Sequence, residues 1–133
     1  MKPQELMIND FVFVDTLSEY GWIPTKVREV AEECILVNLG EGKEEVDNSA
    51  FKPIPLTAEI LKNNGFTDVG DGYYQNEEQC CGVELLNTFM FYVYVNDYDN
   101  DECHDVAQVF YVHQLQHALR LVEKSEMADN LKI

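Results

Sequence analysis

A chain of 133 residues with 25 acidic and 9 basic side chains carries a formal charge of −16, and 46% of its residues are hydrophobic. That fraction is too high for a disordered acidic tail, and the length suits one compact domain or two small subdomains sharing a core. No apolar run approaches the roughly 20 residues a bilayer span needs, and Met1-Lys2-Pro3-Gln4-Glu5 lacks the apolar core of a signal peptide, so a soluble cytoplasmic protein with no membrane partner is expected.

The first 55 residues read as short strands. Phe11 to Val14 is a compact apolar run, and Tyr20-Gly21-Trp22 turns the chain into the next strand. Lys26 to Val30 alternates with period two, imperfectly, because Val27, Glu29 and Ala31 fall on one face. Glu33 to Leu39 continues as a strand and ends in the turn Gly40-Glu41-Gly42. Phe51 to Pro55 closes the sheet, its two prolines confining it to an edge. Short strands separated by glycine and charged turns predict a small SH3-like β-barrel over residues 1–55, a fold that hosts many unrelated functions.

At Thr57 the pattern changes. Leu56 to Phe66 predicts a short helix, with Thr57 capping its start and Gly65 taking the left-handed conformation at its end. Ile60, Leu61 and Phe66 would pack it on a sheet. Gly70-Asp71-Gly72 is a turn, Tyr73-Tyr74 begins a strand and Val83 to Leu86 forms another. Thr88 to Val95 is the strongest strand signal, with Phe89, Phe91, Val93 and Val95 on a core face and Met90, Tyr92 and Tyr94 on the other. Asn96 to His104 reads as an acidic turn and Val106 to Tyr111 as a returning strand. Val112, Leu115, Leu119 and Val122 then mark a helix, with His113, Gln114, Gln116 and His117 among its remaining positions. Residues 127–133 fray or dock through Leu131 and Ile133. The predicted class is α+β: the barrel, then over residues 56–133 a helix, an antiparallel sheet and a C-terminal helix, with one shared core left open as an alternative.

The charge is uneven. No lysine or arginine lies between Lys62 and Arg120, while ten acids do. Nucleic-acid binding needs cations to displace counterions from phosphates, so this segment is a poor phosphate-facing surface and no direct nucleic-acid contact is expected. Cationic partners, divalent metals or plain solvation remain.

Ile54-Pro55-Leu56-Thr57-Ala58-Glu59-Ile60-Leu61 with Gly65-Phe66, and Tyr111-Val112-His113-Gln114-Leu115-Gln116 with Leu119, carry a resemblance. They resemble the paired IPLT-x-E-x-L…GF and YVHQLQ signatures of small uncharacterised proteins of Bacteroides-type gut bacteria, their phages and mobile elements. The likeness covers about residues 50–125; the acidic turn at 96–105 and the Cys80-Cys81 pair depart from the pattern. It implies a cytosolic bacterial or phage protein and carries no established activity.

Asp97, Asp99 and Asp101 alternate as calcium-loop ligands do, but Glu102 stands where an EF-hand needs glycine and Gln108 where it needs glutamate. His113 and His117 share a helix face at the spacing zinc uses, with His104 or Cys103 as a third ligand, yet without the general base of H-E-x-x-H. Of the four cysteines, Cys34 reads as a core residue, and adjacent Cys80 and Cys81 would point to opposite faces of a strand. The context expected for the chain favours reduced thiols. Neither an oxyanion element nor a surrounding motif supports Cys103 with His113 or His117 as a nucleophile pair, and no glycine-rich phosphate loop is present. No cofactor is expected. The leading expectation is a non-enzymatic protein-binding or adaptor module, with Tyr92, Tyr94, Asp97, Asp99, Asp101 and Glu102 as partner-facing candidates. The alternative is an acidic inhibitor mimicking nucleic acid against a basic host or defence protein. The partner is an unspecified protein, basic in the second reading, and homo-oligomerisation stays open.

Overall fold

The computed structural model describes residues 1–40, 42–87 and 90–133. Glu41 of the expected glycine turn, and Thr88 and Phe89 of the expected strand and core face, lie outside the described residues. The chain is α+β and divides into two compact units, Met1–Ile54 and Pro55–Ile133.

The first unit holds a 3-10 turn at Pro3–Glu5 and five strands: β1 (Phe11–Asp15), β2 (Trp22–Val30), β3 (Cys34–Leu39), β4 (Gly42–Asp47) and β5 (Phe51–Lys52). They form one antiparallel sheet in the order β4-β3-β2-β1-β5. Val12, Val14, Val27, Ile35, Val37, Val46, Phe51 and Leu6 make its core, with Leu39 and Ala50 packed against it. Burying each such side chain contributes roughly 1.5–3 kcal/mol. The broken alternation in β2 is a β-bulge: Val27 pairs with Val37 but Glu29 pairs with Leu36, so Val27 is buried and Glu29 exposed. Two sequence expectations change here. Residues 42–47 form a strand that sequence reading passed over, because only Val46 is buried among Lys43, Glu44, Glu45 and Asp47. Cys34 is half-buried and not a full core residue, since it opens β3 before the buried alternation begins at Ile35.

The second unit contains α1 (Ala58–Asn63), β6 (Thr67–Gly70), β7 (Tyr73–Asn76), β8 (Cys81–Asn87), β9 (Met90–Asp97), β10 (Glu102–Val109), α2 (Val112–Leu121) and α3 (Ser125–Asp129). Its strands run as an antiparallel meander, β10-β9-β8-β7-β6. The Thr57 hydroxyl accepts from the Ile60 amide at 3.2 Å, and Gly65 takes φ +86, as the sequence predicts. Leu61 and Phe66 are buried, whereas Ile60 is only half-buried. The acidic turn shrinks to residues 98–101 because β9 and β10 extend the hairpin on both sides. In α2 the Val112, Leu115 and Leu119 stripe is buried, and so are His113, Gln116 and Ala118. Gln116 is satisfied there by donating to the Ala128 carbonyl at 2.9 Å, and Arg120 pairs with Asp129 at 3.0 Å, so α3 is fastened to α2. Leu131 docks and Ile133 does not. Asn64 holds the end of the chain by donating to the Lys132 carbonyl and accepting from its amide, both at 2.7 Å.

The two segments that carry the resemblance meet in this unit. Pro55 and Tyr111 form a β-bridge, the Leu56 amide donates to the Phe110 carbonyl at 3.1 Å, and the Gln114 side chain accepts from the Phe110 amide at 2.8 Å.

Candidate functional site

The candidates named from the sequence do not gather into one site. Tyr94 is 4% exposed, with its ring occupying the space over Gly82, where an added Cβ would lie 2.2 Å from ring atoms. Its edge also meets Tyr73 with ring centroids 6.2 Å apart, so Tyr94 is a packing residue, and burial raises its pKa. Tyr92 is half-buried beside it.

The alternating aspartates do not converge either. Asp99 lies in the turn with Asp101, whose φ is +51, while Asp97 is paired across the strands with Glu102. Among the described residues, Asp97, Glu102 and His104 form the one group whose ligand atoms all lie within 4.8 Å of one another. The Asn100 side chain and amide hold the Asp97 carboxyl below its ordinary pKa, and Glu102 pairs with His104 at 3.2 Å. Glu102 and His104 are exposed, and Asp99 and Asp101 bring no ligand atom to the group.

His113 and His117 do lie together, rings edge to face with centroids 5.6 Å apart, and His113 stacks on Tyr111. Neither Cys103 nor His104 joins them as a third ligand among the described residues. Burial first, then Asp105 and Glu84, raise the Cys103 pKa, the opposite of what an activated nucleophile needs. All four cysteines are free thiols; Cys81 is buried and Cys80 half-buried, with φ +53 just before β8.

The surface with the chemistry of a binding site lies in the first unit. The loop between β1 and β2 exposes Leu17 at 88% and Tyr20 at 76%, and Trp22, the first residue of β2, is 37% exposed. Trp22 is the only tryptophan in the chain. A local network fixes this loop: Thr16 donates from its amide and hydroxyl to the Gly21 carbonyl, at 3.0 and 2.9 Å. Asp15 accepts from the Leu17 amide at 2.9 Å, and the Gly21 amide returns to the Ser18 carbonyl at 3.0 Å. Leu17 is held at φ +55, which costs a leucine about 1 kcal/mol. On the outer face of the sheet, Lys52 lies 4.2 Å from the Trp22 ring centroid, within cation–π range.

Beside the loop lies a concavity of about 510 Å³. Its lining includes Val14, Ile23, Leu39, Val46 and Ala50 together with Asp15, Glu44, Glu45 and Asp47, of which only Glu44 shares the sheet face of buried Val46. Hydrogen bonds from the Ser49 hydroxyl and amide lower the Asp47 pKa, favouring its ionised form. No lysine or arginine is among its described lining residues. The second unit has a larger groove, about 880 Å³, whose lining includes six amide side chains and holds Lys124 and Lys132 as well as glutamates.

Sequence reading missed the loop because Thr16 to Gly21 is turn-like. The available signal was the presence of Leu17 and Tyr20 in such a segment, with Trp22 directly after it. No helix among the described residues is long and apolar enough to cross a membrane. Comparison of the chain with protein-family models, with curated proteins and with solved structures finds no match.

Proposed function

We propose that this chain is a non-enzymatic protein-binding or adaptor module, acting in the cytoplasm of a bacterium that carries a phage or mobile element. The setting rests on the resemblance carried by the IPLT and YVHQLQ segments. Within this reading the first unit serves as an SH3-like barrel, a form that five short antiparallel strands around one core accommodate.

The observation that carries the reading is the β1–β2 loop. Exposed tyrosine and tryptophan are the residue types that supply most binding energy at protein interfaces, and a loop already fixed by its own hydrogen bonds loses little entropy on docking. Holding an exposed leucine in the left-handed region gains the fold nothing locally, which fits a residue kept for a partner.

The acidic-mimic alternative has weaker support. The hairpin's carboxylates divide between the two sheet faces: Asp97 and Glu102 group with His104, while Asp105 and Glu84 act on Tyr73.

The test is a quantitative pulldown from a Bacteroides-type lysate with the full chain and with a Leu17→Asn/Tyr20→Ser variant. Asparagine tolerates φ > 0, so the variant keeps its fold. Recovery of at least one specific protein is expected to fall about tenfold, a loss of one hot-spot anchor. Equal recovery by both chains would sink the proposal.

A further inference from the structure

We propose that the partner's docking segment carries a carboxylate that meets Lys52 on the outer face of the first sheet, so that the segment is acidic beside its apolar anchors. This deepens the protein-binding reading above and rests on it. Cross-strand register builds the face. Phe13 pairs with Pro24 of β2 and with Lys52 of β5, Phe11 pairs with Lys26, and Asp15 pairs with Trp22. Residues paired in this way share a face, and this one lies opposite buried Val12 and Val14. Three aromatic rings, a proline and two lysines therefore point outward together. Lys52, Pro24 and Trp22 are exposed, and Phe11, Phe13 and Lys26 are half-buried.

Lys52 stands among rings and not among carboxylates. Its Nζ lies 4.2 Å from the Trp22 ring centroid and 5.9 Å from that of Phe13, and among the described residues no acid pairs with it. Asp15, the acid on the same face, accepts from the Leu17 amide. Trp22 directly follows the loop, so a segment that docks on Tyr20 and the Trp22 ring also lies against the Lys52 head. A purely apolar segment would strip water from that ammonium and leave its charge unpaired, which costs affinity. A carboxylate at this point replaces the lost water with a charge-assisted hydrogen bond, while neighbouring apolar side chains cover Trp22, Phe13 and Pro24. A cationic segment would be repelled. Single-stranded nucleic acid also stacks on exposed rings, but phosphate binding draws on many cations, and this face presents two lysines in a chain of net charge −16. The charge of the whole chain opposes the approach of an acidic segment, so recognition falls on the local pair.

The test is selection of a random heptapeptide display library on three immobilised full-length chains: wild type, Lys52→Gln and Leu17→Asn/Tyr20→Ser. Lys52 is exposed on a short edge strand, so its neutralisation leaves the fold intact, which circular dichroism checks. The expected result is enrichment of aspartate or glutamate beside aromatic or aliphatic residues on wild type. On the glutamine variant that enrichment disappears, and a peptide selected on wild type binds it about fivefold or more weakly. Lys52→Arg, which keeps the charge, should retain the binding. Peptides selected without acidic residues, or acidic peptides that bind the glutamine variant equally, overturn this inference while leaving the loop reading intact. Oligothymidylate that binds wild type more tightly than the selected peptides and displaces them overturns it too, because the anion taken is then a phosphate chain. Binding weakened by Lys52→Gln but not by Leu17→Asn/Tyr20→Ser overturns the loop reading and keeps the carboxylate contact. Peptides that bind both variants as tightly as wild type overturn both.

Discussion

The two units solve the same problem differently. Among the described residues each builds five antiparallel strands into one sheet, but the first unit contains no α-helix and the second contains three. A sheet needs a second layer over its apolar face. The first sheet obtains one by curling, with Val46 and Phe51 from its two edge strands joining the core of the inner ones. The second keeps its strands in a simple meander and uses helices, with buried Leu61 on α1 and Val112, Leu115 and Leu119 on α2. The lesson concerns where surface is left over. A curled sheet closes along its length but stays open at its end, so a concavity next to a hairpin loop follows from the architecture. Helices covering a meander leave polar grooves at their margins, as the amide-lined groove of the second unit illustrates.

Substitutions at three positions break or sharpen this contrast. The largest effect is expected from Ile35→Ala. Ile35 is completely buried in a core to which no α-helix among the described residues of its unit contributes, and the cavity should cost about 3 kcal/mol. Urea denaturation followed by residue-resolved NMR should show the first unit's amides losing protection first; an unchanged midpoint would contradict a core held by strands alone.

The next effect tests the second unit through pH. Burial pushes the Cys81 thiol up from 9.0 to about 11, with Lys124 pulling the other way. A thiol whose pKa is raised on folding contributes stability that is complete below about pH 9 and is lost as pH climbs through 11. That loss should approach about 2.7 kcal/mol, at 1.36 kcal/mol per unit. Cys81→Ala should flatten this alkaline decline, and parallel stability–pH curves for the two proteins would show that Cys81 is not its source. Iodoacetamide should correspondingly reach exposed Cys103 before buried Cys81.

The smallest effect concerns the helix that opens the second unit. Thr57→Ala removes the acceptor for the Ile60 amide and should cost about 1 kcal/mol in a thermal or urea melt. Thr57→Asn, which keeps a cap, should restore most of it.

Much of this architecture was readable in the sequence where one residue's chemistry suffices. Thr57 and Gly65 bound α1 as predicted because a side-chain oxygen and a missing Cβ act locally. Val12 and Val14 alternate inward because the strand period is fixed by the backbone. Two of the four edge strands escaped that reading, while β5 and β10 were expected. β4 and the wholly exposed β6 present almost no buried residue, so their hydrophobic pattern carries little signal and neighbouring strands dictate their pairing. The histidine helix misled for a related reason. Polar His113 and Gln116 are buried because α3 brings an acceptor to Gln116 and Tyr111 stacks on His113.

The candidate site divides along the same line. Sequence alone determined the charge of −16, the cation-free stretch from 63 to 119, the cap of α1 and the alternation of the core strands, since composition and local stereochemistry need no partner. Only the tertiary structure decided that Tyr94 fills the space above Gly82, that the acidic triplet separates, and that residues of β1, β2, β3 and β4 line one concavity with Leu17. Those side chains come from different strands, and their meeting depends on register and curl, which no single segment encodes.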